Sequence, residues 1–142
     1  MASGGGHWIQ MMRLRSAFEG LEQVFVCVDH AYREQVPEAR FHRVNDANQD
    51  SKLALLVLAL RVLWVVLRER PDLVVSTGAA PGYFGLRIGK LLGARTIWVD
   101  SIANAEILSL SGRIVKPYAD LWLTQWPELA REGGPEYRGQ VL

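Results

Sequence analysis

Two short runs, Gln23-Val24-Phe25-Val26-Cys27-Val28 and Leu73-Val74-Val75-Ser76, are apolar on both of their alternating faces. A strand can be apolar on both sides only where both sides are covered, as in a parallel sheet with helices packed on its two faces. Thr96-Ile97-Trp98-Val99 and Leu121-Trp122-Leu123-Thr124 have the same character, and Phe41 to Val44 is a weaker candidate strand. Helix-length segments stand between these runs, so the chain predicts an α/β fold with a parallel sheet. Ligands bind such sheets beyond the carboxyl ends of the strands. Those ends are Thr77-Gly78, Asp100-Ser101 and Gln125-Trp126, and the site is expected there.

Composition narrows the class further. The 142 residues fit one domain, and a hydrophobic fraction of 49% against 22% charged residues is enough to build a core. Sixteen basic and fifteen acidic residues leave a net charge of +1, which argues against a nucleic-acid binder. One cysteine, Cys27, and three histidines, at 7, 30 and 42, give no internal disulfide and no structural zinc site; no metal or cofactor is expected. The N-terminus opens on glycines rather than on a basic and then apolar stretch, so no secretory signal is expected, and the protein is placed in the cytosol or on the cytosolic face of a membrane.

Three helices can be read. Met11, Leu14, Phe18 and Leu21 are spaced to share one helical face. Ser51 to Arg70 is a long helix with Pro71 just past its end. Its stretch from Leu53 to Leu67 carries a single charge, Arg61, and is apolar nearly all round, yet it is shorter than the roughly 20 residues a bilayer span needs. Two readings stand side by side: a helix buried in the core, or one partly sunk in a membrane surface through Leu56, Leu60 and Trp64 with Arg61, Arg68 and Arg70 reaching the headgroups. A third helix opens at Pro81 and closes at Gly93, and Gly82, Gly85 and Gly89 form one stripe along it. Glycine inside a helix costs about 1 kcal/mol against alanine, so the stripe calls for close packing against a neighbour. Trp98 and Trp122 read as core; Trp8 and Trp126 fall at element ends, where an interface or sugar-stacking role is open.

Ser3-Gly4-Gly5-Gly6-His7 leads into the first helix. Small residues let backbone approach a ligand, and free amides at a helix start favour phosphate. The run lacks the Lys-Ser/Thr of a P-loop and is not GxGxxG, so a plain tight turn stays an equal alternative. His7 reads either as a general base or phosphate donor, or as a simple helix cap.

Taken together, Ser3-Gly4-Gly5-Gly6-His7, Val75-Ser76-Thr77-Gly78, Trp98-Val99-Asp100-Ser101, Leu108-Ser109-Leu110-Ser111-Gly112-Arg113 and Leu123-Thr124-Gln125-Trp126-Pro127 resemble the acceptor-domain subunits of two-chain glycosyltransferases: the ALG-fourteen type and its bacterial exopolysaccharide relatives of the PssD and EpsE kind. The resemblance runs from Ser3 to about Gly139. It implies a Rossmann-like N-terminal half of a GT-B glycosyltransferase that uses a UDP-sugar and is inactive without a separate donor-binding chain. It implies that this half binds the membrane and a lipid-linked saccharide acceptor and recruits its partner into a heterodimer. By that resemblance His7 is the first candidate base; near the predicted strand ends Glu106 is the runner-up, and Asp100 is an intrinsically weaker base read mainly as a holder of loops. Ser3, Gly4, Gly5, Gly6, Thr77, Gly78 and Ser101 are expected near the acceptor diphosphate, and Gln125 and Trp126 at the cleft or the partner. Asp100-Ser101-Ile102-Ala103-Asn104-Ala105-Glu106 lacks the arginine of the eukaryotic pattern and is closer to the bacterial branch. The family also implies a strand, and often a membrane anchor, ahead of the glycine loop; the sequence suggests a sheet without that central strand and a late start of the chain. Two other functions compete: a small nucleotide-binding regulatory module, with Asp29 roughly placed for a ribose, and a membrane adaptor without chemistry of its own.

Overall fold

The computed structural model describes residues 1–141. In chain order it contains α1 (Gly6–Leu14), β1 (Val24–Cys27), β2 (Arg40–Arg43), α2 (Lys52–Glu69), β3 (Leu73–Ser76), α3 (Ala79–Leu91), β4 (Arg95–Val99), α4 (Leu110–Ile114), β5 (Leu121–Thr124) and β6 (Glu136–Tyr137). Every pairing is parallel, in two sheets: β1 with β2, and β3-β4-β5-β6 in that order. Strand β1 shows why it is apolar throughout. Phe25 and Cys27 enter a cluster with Trp8, Met11 and Val36, while Val26 enters another with Val44 and α2, on the opposite face.

A gap separates β1 of one sheet from β3 of the other and is lined by residues of both strands. Its upper end is occupied by the first two residues. Ala2 N–H donates to the Val26 carbonyl of β1 at 3.0 Å, and the Met1 amine donates to the Val75 carbonyl of β3 at 2.6 Å. Below them lies a cavity of about 390 Å³ lined by Val24, Phe25, Val65, Leu73, Val74 and Met11. The amine lies between the two sheets, and burial pulls its pKa from 8.0 down to about 5.

Helix α2 is buried on one side and open on the other. Ser51 caps it, its Oγ accepting the Ala54 amide, and Arg70, at φ 47, ends it ahead of Pro71. Leu58, Val62, Val65 and Val66 are buried against β1 and α3, whereas Leu53, Leu56, Val57, Leu60, Trp64 and Leu67 form an exposed apolar stripe over four turns. The glycines of α3 serve packing. A Cβ at Gly89 would stand 2.7 Å from Val74, one at Gly82 would collide with the Ser76 hydroxyl, and one at Gly85 with the Met1 sulfur.

Two expectations need correction, and one strand left no sign in the sequence. The face from Met11 to Leu21 is not one helix: α1 stops at Leu14, a 3-10 turn follows over Arg15–Phe18, and Gly20, at φ 82, turns the chain so that Leu21 is exposed. Trp8 is core, not surface; it is 1% exposed and packs edge-on against Phe25. Strand β6 has only two exposed residues, too few to leave a periodic signal.

Candidate functional site

Two helix starts meet at the carboxyl end of β3. Helix α1 begins behind Gly5, at φ 62, and α3 behind Gly78, at φ 133; neither has a side-chain cap. The Trp8 and Ile9 amides donate to the Gly5 carbonyl, while no protein group among the described residues accepts from the Gly6 or His7 amides. Ala79 is held at φ 65, a conformation that costs a residue with a Cβ of order 1 kcal/mol or more. His7 lies between the two starts. Its Nδ1 is 2.8 Å from the Thr77 carbonyl, and the Thr77 hydroxyl donates back to the His7 carbonyl at 2.6 Å. A Cβ on Gly78 would press into the imidazole at 2.5 Å from Nδ1, so only glycine fits there.

This contact fixes the chemistry of the ring. A carbonyl oxygen can only accept, so Nδ1 must carry the proton, and in the neutral ring Nε2 is bare. A histidine anchored in this way through one nitrogen presents the other as a proton acceptor. Thr77, by contrast, is fully buried and spends its hydroxyl on His7, and the Gly78 amide is taken by the Ser76 hydroxyl at 3.0 Å. Of the residues expected around a phosphate, Gly6 offers an open amide, Gly5 donates its own to the Tyr32 hydroxyl at 2.8 Å, and Gly4 backs onto the Tyr32 ring. Ser3 is half-buried at the start of this loop, and Ser101 is 9% exposed with its hydroxyl accepting the Ala103 amide.

The end of β4 carries a carboxylate occupied by donors of its own chain. Asp100 is 1% exposed. Its Oδ1 accepts from Ser109 Oγ at 2.5 Å and from the Trp98 indole at 3.2 Å, and its Oδ2 accepts the Ser109 amide at 2.9 Å. Ser109 in turn caps α4 through the Gly112 amide. Asp100 thus ties the end of β4 to Ser109, at the far end of the 101–109 loop. Glu106 lies exposed on that loop with no protein partner among the described residues. Gln125 is buried, donating to the Asp100 carbonyl at 2.8 Å and accepting the Val141 amide at 2.8 Å; both ends of its amide are used within the chain. Trp126 is half-buried and pins its indole N–H to the Ile102 carbonyl. Sequence reasoning missed Tyr32 and Ser109, whose roles arise only from contacts outside their own segments.

The residues expected at a membrane are all on the open side of α2. Leu56, Leu60 and Trp64 are 56%, 57% and 55% exposed, Arg61 is beside them, and Arg68 sits over the Trp64 ring at 5.4 Å. No helix among the described residues is long and apolar enough to cross a membrane. No cluster among them could hold a metal ion.

The family model described as "Oligosaccharide biosynthesis protein Alg14 like" matches residues 26–141. The UDP-N-acetylglucosamine transferase subunit ALG14 of Yarrowia lipolytica is 34% identical over 116 residues, covering 77% of this chain and 53% of the relative. The mouse subunit of the same description is 27% identical over 177 residues, covering 100% of this chain and 81% of the relative. The chain thus spans about half the length of the Yarrowia relative. Among solved structures, MurG of Acinetobacter baumannii superposes with a TM-score of 0.75 at 12% identity, over 93% of this chain and 41% of that one. This likeness establishes the fold, that of one Rossmann-like half of a GT-B glycosyltransferase. The family match begins in β1 and takes in the ends of β3 and β4 at Thr77 and Asp100, with His7 ahead of the matched residues, and the chain belongs to the Alg14-like family of oligosaccharide biosynthesis proteins.

Proposed function

We propose that this chain is the acceptor-binding half of a two-chain glycosyltransferase, in which a separate subunit holds a UDP-sugar and this one presents a lipid-linked saccharide at a membrane surface. The observation that carries the reading is the His7 ring, held through Nδ1 on the Thr77 carbonyl at the junction of two uncapped helix starts. The names of the relatives, UDP-N-acetylglucosamine transferase subunits, support a UDP-N-acetylglucosamine donor. His7 Nε2 takes the proton of the acceptor hydroxyl as that oxygen bonds to the anomeric carbon and the nucleotide diphosphate leaves on the partner subunit. The Gly6 and His7 amides and the start of α1 face the acceptor diphosphate. Gln125 and Trp126 shape the cleft end of β5 toward the partner. The stripe Leu53, Leu56, Leu60 and Trp64 lies in the membrane surface, on the cytosolic side. Residues 52–119 carry nine basic and four acidic side chains, although the whole chain is nearly neutral, which suits headgroup contact beside that stripe.

The test pairs this chain with its donor-binding subunit. Alone it should transfer no sugar. In the pair, His7→Ala should lower turnover roughly 100-fold or more. Glu106→Gln should leave turnover close to wild type, and Asp100→Asn should lower stability ahead of turnover. Undiminished turnover in the His7 variant with Glu106→Gln inactive would move the base to Glu106, and activity of the isolated chain would overturn the half-enzyme reading. A nucleotide sugar that binds the isolated chain would favour a regulatory module instead.

A further inference from the structure

The turn after β1 reaches back to the first turn of α1. Asp29 Oδ1 accepts the Ala31 amide at 2.9 Å and starts a 3-10 turn over His30–Gln35. From that turn the Tyr32 hydroxyl accepts the Gly5 amide at 2.8 Å, and Gln35 Oε1 accepts the Trp8 indole N–H at 2.8 Å. The Tyr32 ring stacks on Trp8, with centroids 4.9 Å apart and planes at 24°. A Cβ on Gly4 would stand 3.3 Å from the same ring. His7 therefore stands two positions after the held amide of Gly5, while the Thr77 carbonyl and hydroxyl grip it from the end of β3. Gly5 has φ 62 and ψ −134 and no cap, a backbone free to swing unless something outside the helix holds it. The Tyr32 hydroxyl is what holds its amide.

We propose that Tyr32 is a positioning residue for His7: by fixing the Gly5 amide it sets the height of the first turn of α1, so that Nδ1 meets the Thr77 carbonyl and Nε2 stays bare. The use of that ring as a base rests on the function proposed above; its position does not, and the test reads the ring directly.

In the intact chain, nitrogen NMR of the neutral His7 ring should show one tautomer, with the proton on Nδ1. Tyr32→Phe keeps the stack on Trp8 but removes the acceptor, and should give a mixture of tautomers. Gly4→Ala, whose Cβ crowds the Tyr32 ring, should reproduce the mixture with the hydroxyl still present. Gln35→Ala is the control for a merely structural role: it should lower the melting temperature and leave the tautomer unchanged. In the assembled pair, Tyr32→Phe should lower kcat about tenfold or more with the KM for the donor sugar unchanged. A Tyr32→Phe ring still protonated on Nδ1 as in wild type, or the same tautomer mixture in Gln35→Ala, would overturn the proposal. A His7→Ala variant with full turnover would instead overturn the base assignment and leave the tautomer result standing.

Discussion

Blocking the Met1 amine is the sharpest available probe of the gap between β1 and β3. The amine sits where a strand amide would sit, donating to Val75, and burial lowers its pKa from 8.0 to about 5. Between those values the unfolded chain binds a proton that the folded chain refuses, so stability rises with pH through the window and is lost as pH falls from 8 toward 5. At about 1.4 kcal/mol per pH unit, going from pH 8 to pH 6 removes roughly 2 kcal/mol. For a domain of this size that is about 7 °C in melting temperature. Nα-acetylation keeps an N–H for Val75, sends its methyl into the cavity and removes the titration. The assay is thermal and urea denaturation of the free and acetylated chains at matched pH values, and the difference between the two curves cancels the histidines. Parallel curves for the two forms across the window would refute the burial of the amine.

Three further outcomes can be checked on the same preparations. Four apolar residues grafted ahead of Met1 should enter the gap as a parallel strand of the usual length and raise the urea midpoint, whereas a graft with two lysines should not. Leu56→Glu with Leu60→Glu should abolish sedimentation with vesicles while leaving the urea midpoint nearly unchanged, because both side chains are more than half exposed; global unfolding would return α2 to the core reading. Burial pushes the Glu69 carboxyl up, but its bonds to His42 at 2.7 Å and Arg40 at 2.9 Å outweigh this and hold it below the ordinary carboxylate range. Its stabilisation is therefore present above the unfolded pKa of about 4.3 and lost as pH falls through the lower folded value, so Glu69→Gln should flatten the acid limb of the stability curve.

The parts of the fold legible in the sequence are those where one segment must satisfy its own surroundings. Strand β1 is apolar at every position because Phe25 and Cys27 face α1 while Val26 faces α2, and that doubling is visible in six consecutive letters. The glycine stripe of α3 was legible for the same reason: a helix that gives up three Cβ atoms must lie against something. Helix α2 was only half legible. An all-round apolar helix can be wholly buried, or buried on one side with the other side open, and periodicity cannot separate these because both faces carry the same residues. The end of α1 was hidden because Phe18 and Leu21 keep helical spacing with Met11 and Leu14 although the α-helix ends at Leu14.

The site divides along another line. His7 could be proposed from a glycine run, but the state of its ring could not, since the Thr77 carbonyl that decides it is 70 residues away in sequence. Asp100 shows the converse case. A carboxylate closing a strand in an α/β fold invites a catalytic or a loop-holding reading, and nothing local to Asp100 separates the two. Its partners are remote: Ser109, nine residues on, supplies two of the three donors that occupy the carboxylate. A serine capping a short helix would need no carboxylate behind it for that task alone. The pairing makes sense only if the 101–109 loop has to be held in one shape, and the exposed Glu106 is on that loop. Asp100 thus bears on the cleft through the loop it immobilises. Replacing it by asparagine exchanges an acceptor for an amide facing two donors from Ser109, which should free the loop before it alters any proton transfer.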